Sequence, residues 1–416
     1  MFEYNEEFWQ LAGVAEAESV EQIKMFDAIL EVNQRKVLEA FVKHRVSSSH
    51  LVGTTGYGYG DCGRAVIDKI YADVFNVEAA LVRHNFVSGT HALAVCLFGV
   101  LRPGEKMVCV TGKLYDSLEK VVRGVGNGSL SDFGINYAEV NFLEEPRPHE
   151  SLKRECENAR LIYIQRSCGY SQRASVGVVQ TNRIIEEVRR LNNDAVIVVD
   201  NCYCEFVEQE EPSGADLIVG SLIKNPGGGL VRTGGYIAGR KELVALCANR
   251  LTAPGLGADV GCSLDQNREI LMGLFLAPQA VANALKTAIF CALLFEKLGF
   301  KVSPNGWEPR ADIVQRITLG SKEALKAFCC GVQAASPIDS FVAPEEWHMP
   351  GYEQKIIMAA GNFTMGATLE ASADAPMQVP YNAYYQGGLT FYAGKLCVME
   401  AAWRVILAER AKEFLL

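Results

Sequence analysis

Short apolar stretches that end in polar residues or glycine recur in the first two-thirds of the chain and predict six β-strands. They cover residues 80–84, 107–111, 161–165, 195–200, 217–221 and 235–238. Apolar runs of this length are typical of strands that are buried on both faces. Between them, Ile184, Ile185 and Val188 mark the apolar face of a helix over residues 182–191, and residues 90–99 predict another. This alternation favours an α/β fold with a mainly parallel sheet covered by helices.

The two ends of the chain show other patterns. Apolar residues at helical spacing, such as Val20, Ile23 and Phe26, predict a helical arm over residues 1–50. The arm precedes a large α/β domain over residues 51–280 and a smaller α+β domain over residues 281–416. In the smaller domain the pattern predicts helices at 280–298, at 322–334 and after 388, and strands at 313–319, near 355–359 and at 367–370.

Composition narrows the class of protein. The net charge of -9 arises from 40 basic and 49 acidic residues without a basic block, so neither nucleic acid nor an anionic membrane is an expected partner. The acidic N-terminus does not resemble an export signal, and no apolar run approaches a membrane span. We therefore expect a cytoplasmic protein whose thirteen cysteines are reduced thiols, and their spacing does not match a zinc site.

The ends of two predicted strands carry the strongest chemical signal. Asp200 ends one apolar strand, and Lys224 follows the next strand, just before the glycine run 227–229. In a parallel sheet these ends lie at one edge, where ligands collect. An amine and a carboxylate there suit pyridoxal 5'-phosphate (PLP), because lysine forms a Schiff base with its aldehyde and the carboxylate keeps the pyridine nitrogen protonated.

Other residues are candidates for contacts with the same cofactor. Ser88, Gly89 and Thr90 precede an apolar helix, so free amides and hydroxyls there would suit a phosphate, although an ordinary helix cap reads the same way. Ser221 would add a further hydroxyl. Tyr115 follows a strand end and is a candidate for stacking on the pyridine or passing a proton, while a core tyrosine is nearly as good an interpretation.

Five motifs together resemble the fold type I PLP-dependent enzymes of Cys/Met metabolism, the cystathionine-lyase and methionine gamma-lyase group. More narrowly, they are similar to the branch of methionine gamma-lyase-like or aluminium resistance proteins. The motifs are SLIKNPGGG at 221–229, TGGYIAG at 233–239, LTAPG at 251–255, GLFLAP at 273–278 and QGGLT at 386–390.

The resemblance implies a PLP-dependent transferase fold with a seven-stranded-type sheet, and a homodimer or homotetramer. It implies Lys224 as the Schiff-base lysine and Asp200 at the pyridine nitrogen. It further implies Tyr115 stacked on the ring, Gly89, Thr90 and Ser221 at the phosphate, and Tyr57 reaching the phosphate of a neighbouring subunit.

The chain departs from that group at three places. Tyr59 stands where the group has an arginine two residues after the loop tyrosine, with Arg64 as a candidate replacement. Ile223 precedes the lysine in place of a hydroxyl residue. Residues 386–395 contain no arginine for a substrate carboxylate, so Arg166 and Arg173 are the candidate substitutes.

The favoured activity is carbon–sulfur bond cleavage of a sulfur amino acid, by elimination of the methionine gamma-lyase or cystathionine beta/gamma-lyase type. Lys224 would take the Cα proton, and a thiol would leave from Cβ or Cγ with Tyr115 as a candidate acid. An aminotransferase stays open, as does a non-catalytic, stress-related PLP-binding protein. Ile223 disfavours a desulfurase or an aldolase, which commonly carry histidine there. The Ser221-x-x-Lys224 spacing also fits an enzyme that forms a serine acyl-enzyme. The Ser-Asp-Asn motif of that class is absent from the sequence, which disfavours this alternative.

Overall fold

A computed structural model of the chain describes residues 2–143 and 149–413. Its large sheet has seven strands in the order β1-β7-β6-β5-β4-β2-β3, and β7 alone is antiparallel to its neighbours. The strands are β1 (Ala79–Arg83), β2 (Lys106–Cys109), β3 (Asn136–Glu139), β4 (Leu161–Gln165), β5 (Val196–Asp200), β6 (Leu217–Ser221) and β7 (Gly235–Gly239). The mainly parallel sheet and all six predicted strands are therefore confirmed. Strand β3 was not predicted, because as a half-exposed edge strand it carries polar residues.

The apolar runs of the central strands follow from their burial on both faces. In β5, Val196 and Val198 point into one hydrophobic cluster, whereas Ile197 and Val199 point into the other. Helices cover both clusters. The ten helices of the described ranges are α1 (Glu6–Lys43), α2 (Cys62–Val74), α3 (Gly89–Val100), α4 (Asp116–Arg123), α5 (His149–Cys156), α6 (Val178–Leu191), α7 (Lys241–Leu251), α8 (Gln266–Lys297), α9 (Lys322–Ala334) and α10 (Phe391–Glu413).

A second, smaller sheet lies in the C-terminal part of the chain. Its five antiparallel strands, in the order β10-β11-β12-β9-β8, pack against α9 and α8. They are β8 (Lys301–Ser303), β9 (Val314–Thr318), β10 (Ile356–Ala359), β11 (Ser372–Pro376) and β12 (Asn382–Gln386). The strand predicted at 367–370 is wrong: these residues form bends, and the Glu370 carboxylate accepts hydrogen bonds from the amides of Phe363 and Thr364, both at 2.9 Å.

Two long helices join the parts of the molecule. The predicted N-terminal arm is the single helix α1, which packs along α8 and forms ion pairs such as Asp27–Lys286 at 2.5 Å. Helix α8 extends across residue 280, where one of the predicted domain limits lies. The division of the chain at residues 50 and 280 stays a prediction. Helix α8 is long and apolar enough to span a membrane. However, 72% of its most apolar 18-residue window is buried, as in the core helix of a globular protein.

Candidate active site

Asp200 lies at the carboxyl end of β5 in a buried position. Its carboxylate accepts a hydrogen bond from the Tyr163 hydroxyl on the neighbouring strand, at 2.8 Å, and one from the amide of Cys202, at 3.1 Å. Burial raises the pKa of Asp200, while these hydrogen bonds and the positive charge of Lys224 oppose the rise. Tyr163 was missed by the sequence analysis, since inside an apolar strand it reads as a core residue.

Lys224 lies beyond the end of the adjacent strand β6 and is half-buried. Its amine sits 3.6 Å from the centre of the Tyr203 ring and 3.4 Å from the carbonyl oxygen of Ala367. Tyr203 itself holds a left-handed backbone conformation, with φ of 71°, which is uncommon outside glycine and often found at functional sites. The fold thus brings the predicted amine and carboxylate of Lys224 and Asp200 within electrostatic reach of one another.

The N-terminus of α3 meets the end of β6. Gly89 is the first residue of α3, and a Cβ atom at this position would lie 3.1 Å from the Cβ of Ser221 and 3.3 Å from the sulfur of Cys202. The Ser221 hydroxyl is buried and has no hydrogen-bond partner in the described ranges. An unpartnered hydroxyl beside free helix amides fits a bound phosphate, so these residues fit the phosphate of PLP.

The remaining residues predicted near the phosphate have partners in the structure. Ser88 caps α3, since its hydroxyl accepts a hydrogen bond from the amide of His91 at 3.1 Å. The Thr90 hydroxyl lies 3.2 Å from the Tyr115 hydroxyl and 3.0 Å from that of Ser117. Burial, followed by the charge of Asp200, raises the pKa of Tyr115 well above its ordinary value. The Tyr115 phenol therefore keeps its proton at neutral pH.

The two arginines predicted to bind a substrate carboxylate have hydrogen-bond partners within the chain. The fully buried guanidinium of Arg166 donates to Asn201 Oδ1 and Glu208 Oε2, both at 2.6 Å. That of Arg173 donates to four backbone carbonyls, including those of Gln165 at 2.8 Å and Ser167 at 2.7 Å. These contacts hold the loop after β4, and the carboxylate-binding role of the two arginines stays a prediction.

The predicted loop tyrosines lie on the surface. Tyr57 and Tyr59 are 74% and 68% exposed, and their rings stack with centres 5.4 Å apart. Arg64, the candidate replacement for the missing loop arginine, is buried and donates to the carbonyls of Gly58, Asp259 and Gly261. Arg64 therefore holds the loop in shape through these carbonyl oxygens.

A buried carboxylate that the sequence did not single out also lies within electrostatic reach of Lys224. Asp374 on β11 is 6% exposed, and the charge of Lys224 acts on its pKa. Tyr170, Tyr203 and Tyr352 lie close enough for the charge of Asp374 to raise their pKa values, after the larger effect of burial. An aspartate between two alanines in a short strand was the only signal in the sequence. Among the described residues, no group of three or more His, Cys, Asp or Glu side chains is placed to hold a metal ion.

A sheet of this kind, with a lysine and an aspartate at adjacent strand ends beside a helix N-terminus, defines fold type I of the PLP-dependent enzymes. A solved structure of that class, the PLP-dependent protein YhfS of Escherichia coli, superposes with a TM-score of 0.62 at 16% identity and covers 91% of this chain and 97% of its own. At this identity the likeness shows the fold alone.

The chain belongs to the methionine gamma-lyase family, whose sequence profile matches residues 9–406. It is 46% identical to the protein YnbB of Bacillus subtilis (strain 168) over 385 residues, or 91% of each chain. It also resembles the crystal structure of a carbon-sulfur lyase involved in aluminum resistance from Clostridium novyi NT, with a TM-score of 0.91, 44% identity and 96% of each chain covered.

Proposed function

We propose that the protein is a PLP-dependent carbon–sulfur lyase that acts on a small sulfur amino acid. The observation that carries the proposal is the placement of Lys224 and Asp200 at adjacent strand ends, next to the unpartnered hydroxyl of Ser221. When bound, the cofactor supplies an electron-accepting ring that stabilises negative charge at Cα. The family match and the carbon-sulfur lyase name of the C. novyi protein point in the same direction.

Each residue then has a defined task. Lys224 would hold the cofactor through its aldehyde and, once its amine is free, take the Cα proton of the substrate. Asp200, itself held by Tyr163, would face the pyridine nitrogen. The amides at the start of α3 and the Ser221 hydroxyl would bind the phosphate. Tyr115 would stack on the ring and donate a proton to the leaving sulfur.

The assembly and location are part of the same proposal. We infer a homodimer or homotetramer in which Tyr57 of one subunit reaches the phosphate site of the next, because the Tyr57 ring is 74% exposed on its own chain. We also infer a cytoplasmic protein, since all thirteen cysteines are free thiols, as expected in a reducing compartment.

The test is an absorbance scan of the purified protein with PLP, compared with Lys224→Ala and with Lys241→Ala. Lys241 is an exposed lysine at the start of α7 and serves as the matched control. We expect a cofactor band near the visible edge in the wild type and the control only. Thiol and ammonia release from sulfur amino acids should fall at least about a hundredfold in Lys224→Ala.

Two results would contradict the proposal. An unchanged cofactor band in Lys224→Ala would remove this residue from the cofactor site. Formation of keto acid only when an amino acceptor is supplied, without thiol release, would make the protein an aminotransferase. Release of thiol in the absence of any acceptor separates the lyase from that alternative.

A further inference from the structure

The Lys224 amine rests on the face of a tyrosine ring. Its nitrogen lies 3.6 Å from the centre of the Tyr203 ring, well inside the distance of about 6 Å at which an ammonium group and an aromatic face attract each other. Within the described ranges, the amine also donates a hydrogen bond to the carbonyl oxygen of Ala367, at 3.4 Å. A ring face and a carbonyl oxygen are together suited to an ammonium group.

The surrounding chain holds Tyr203 in this place. The residue follows β5 with φ of 71°, and its carbonyl oxygen accepts a hydrogen bond from the amide of Ile313 at 3.3 Å. The side chain of Gln386, on β12, lies close to its hydroxyl. A left-handed conformation costs free energy in a tyrosine and is found mainly where the side chain has a task. The ring therefore has a fixed position under the amine.

The ring is neutral where it meets the amine. Burial, followed by the charge of Asp374, raises the pKa of Tyr203 well above its ordinary value, so the phenol keeps its proton. The Asp200 carboxylate acts on Lys224 through its charge, but it accepts its hydrogen bond from Tyr163. The amine is thus held by a neutral face, which binds an ammonium group less tightly than a carboxylate in direct contact does.

Such a moderate attraction suits the task of Lys224 in the proposed reaction. When the Cα–H bond breaks, its electron pair stays with the substrate, and the proton forms a new N–H bond that turns the amine into an ammonium group. The amine must lose this proton again before the next turnover. A carboxylate in direct contact would oppose that loss, whereas a ring face stabilises the charge and still allows the proton to leave.

We propose that Tyr203 is a positioning residue that holds the protonated Lys224 amine on the face of its ring while the Cα proton is transferred. This inference rests on the proposed function, because it assigns a task in the same proton transfer. Tyr203 acts through Lys224 and exchanges no proton with the substrate. The ring face is the feature that matters, so Tyr203→Phe should keep the task and Tyr203→Leu should lose it.

The first test uses the apoprotein and does not depend on catalysis. Acetic anhydride acetylates an amine only in its neutral form, and peptide mass spectrometry gives the rate at Lys224 relative to that at the exposed Lys241. In Tyr203→Leu, the pH of half-maximal acetylation of Lys224 should fall by about 0.5–1 unit. In Tyr203→Phe it should stay within about 0.3 unit of the wild-type value. A change in access alone would scale the rate equally at every pH.

The second test follows proton transfer in the holoenzyme without bond cleavage. L-Alanine has no group to eliminate, so the exchange of its Cα hydrogen in D₂O, followed by NMR, reports the proton transfer alone. We expect Tyr203→Leu to lower the maximal exchange rate at least about fivefold, while the alanine concentration that gives half of this rate changes less than about twofold. Tyr203→Phe should restore the rate.

The matched control is Tyr137→Leu. The Tyr137 ring also carries a cation, the Arg123 guanidinium at 5.6 Å from the ring centre, and its loss should change neither measurement. If Tyr203→Leu does not fold, Tyr203→Met takes its place, because methionine is a flexible apolar side chain that lacks a ring.

The outcomes separate this inference from the proposed function. An unchanged acetylation midpoint in Tyr203→Leu, or exchange at the wild-type rate in that variant, would overturn the role of Tyr203. Exchange that is slowed in Tyr203→Leu, in a protein that releases no thiol from any sulfur amino acid, would support the role of Tyr203 and refute the lyase.

Discussion

Asp374 is a residue whose charge depends on pH within an accessible range. Burial raises its pKa from 3.8 to about 6, against the opposing charge of Lys224 and a hydrogen bond from Tyr170. Between these values the native protein keeps a proton that the unfolded chain has lost. The free energy of unfolding therefore falls as the pH rises from about 4 to about 6. Above pH 6 the native carboxylate is ionised.

This behaviour predicts a stability gain when Asp374 is replaced. Asparagine does not titrate, so the free energy of unfolding of the apoprotein should shift in favour of Asp374→Asn by about 2.4 kcal/mol between pH 4 and pH 7. Urea denaturation at a series of pH values measures this difference. Comparing the same two proteins across pH cancels effects of packing that do not depend on protonation.

Ser372→Ala, on the same strand, is the control for that measurement. Its hydroxyl donates to the carbonyl of Glu370 at 3.3 Å and carries no charge, so its loss of stability should be the same at each pH. Parallel pH profiles for Asp374→Asn and the wild type would show that Asp374 has an ordinary pKa in the native protein.

At the scale of single residues, the sequence identified groups that lie near one another along the chain. Asp200 and Lys224 close successive strands, and the rule that parallel strands end at one edge places them together. Asp374 comes from another sheet, and spacing along one sequence does not pair it with Lys224. Arg166 looked like a spare cation because its partners, Glu208 and Glu211, face it only after folding.

At the scale of elements, the loop after β6 depends on a close approach to α8. Gly228 has φ of 56°, and a Cβ atom there would lie 2.3 Å from the carbonyl oxygen of Gly273 in α8. A side chain at this position would therefore push the loop that carries Lys224 away from the helix. The glycines after Lys224 fix the position of the lysine through this contact.

Gly228→Ala should consequently reduce both stability and cofactor retention. We expect a loss of about 2–5 kcal/mol, from the left-handed backbone and the clash together. Gly104→Ala is the matched control: Gly104 has φ of 87° but open space around its Cα, so only the backbone cost of about 1–2 kcal/mol should remain. Thermal unfolding and the bound PLP content measure the two effects. Equal losses in the two variants would show that the contact with α8 is unimportant.

The element predictions succeeded where burial dictates the residue pattern. Strand β5 is apolar at every position before Asp200 because each face enters a cluster, whereas the polar edge strand β3 gave no signal. Helix α8 begins at Gln266, well before the predicted start at 280. A proline usually marks the first turn of a helix, but α8 continues through Pro278. The packing of α1 along α8 supports that interior proline, and such packing cannot be read from local sequence.

At the scale of the whole molecule, several large apolar side chains are exposed on the surface of a single chain. Exposed side chains on α1 include Trp9, Met25 and Val42, and the loop with Tyr57 and Tyr59 adds two more rings. Arg64 fixes that loop from beneath through carbonyl oxygens. A loop held in shape, with its rings outward, suits contact with another subunit. The family was visible in the sequence motifs, but the geometry of an assembly is not encoded in any single motif.

A mixing experiment tests whether active sites are shared between subunits. Tyr57→Ala should lower activity at limiting PLP at least about tenfold, since a hydrogen bond to the charged phosphate is lost. Lys224→Ala should be inactive. In a mixed dimer, one site combines Lys224 of the first chain with Tyr57 of the second and is complete. Random pairing gives mixed dimers in about half of the population, so about a quarter of wild-type activity should return.

Mixing Lys224→Ala with Asp200→Asn is the control that fixes the meaning of this recovery. Both residues belong to the same chain's site, so neither site of the mixed dimer contains an intact pair, and activity should stay at the average of the two variants measured separately. If Tyr57→Ala and Lys224→Ala restore no activity beyond the average of the two proteins, each chain holds a complete site. The exposed Tyr57 would then have no role across the interface, and the inferred sharing of the phosphate site would be wrong.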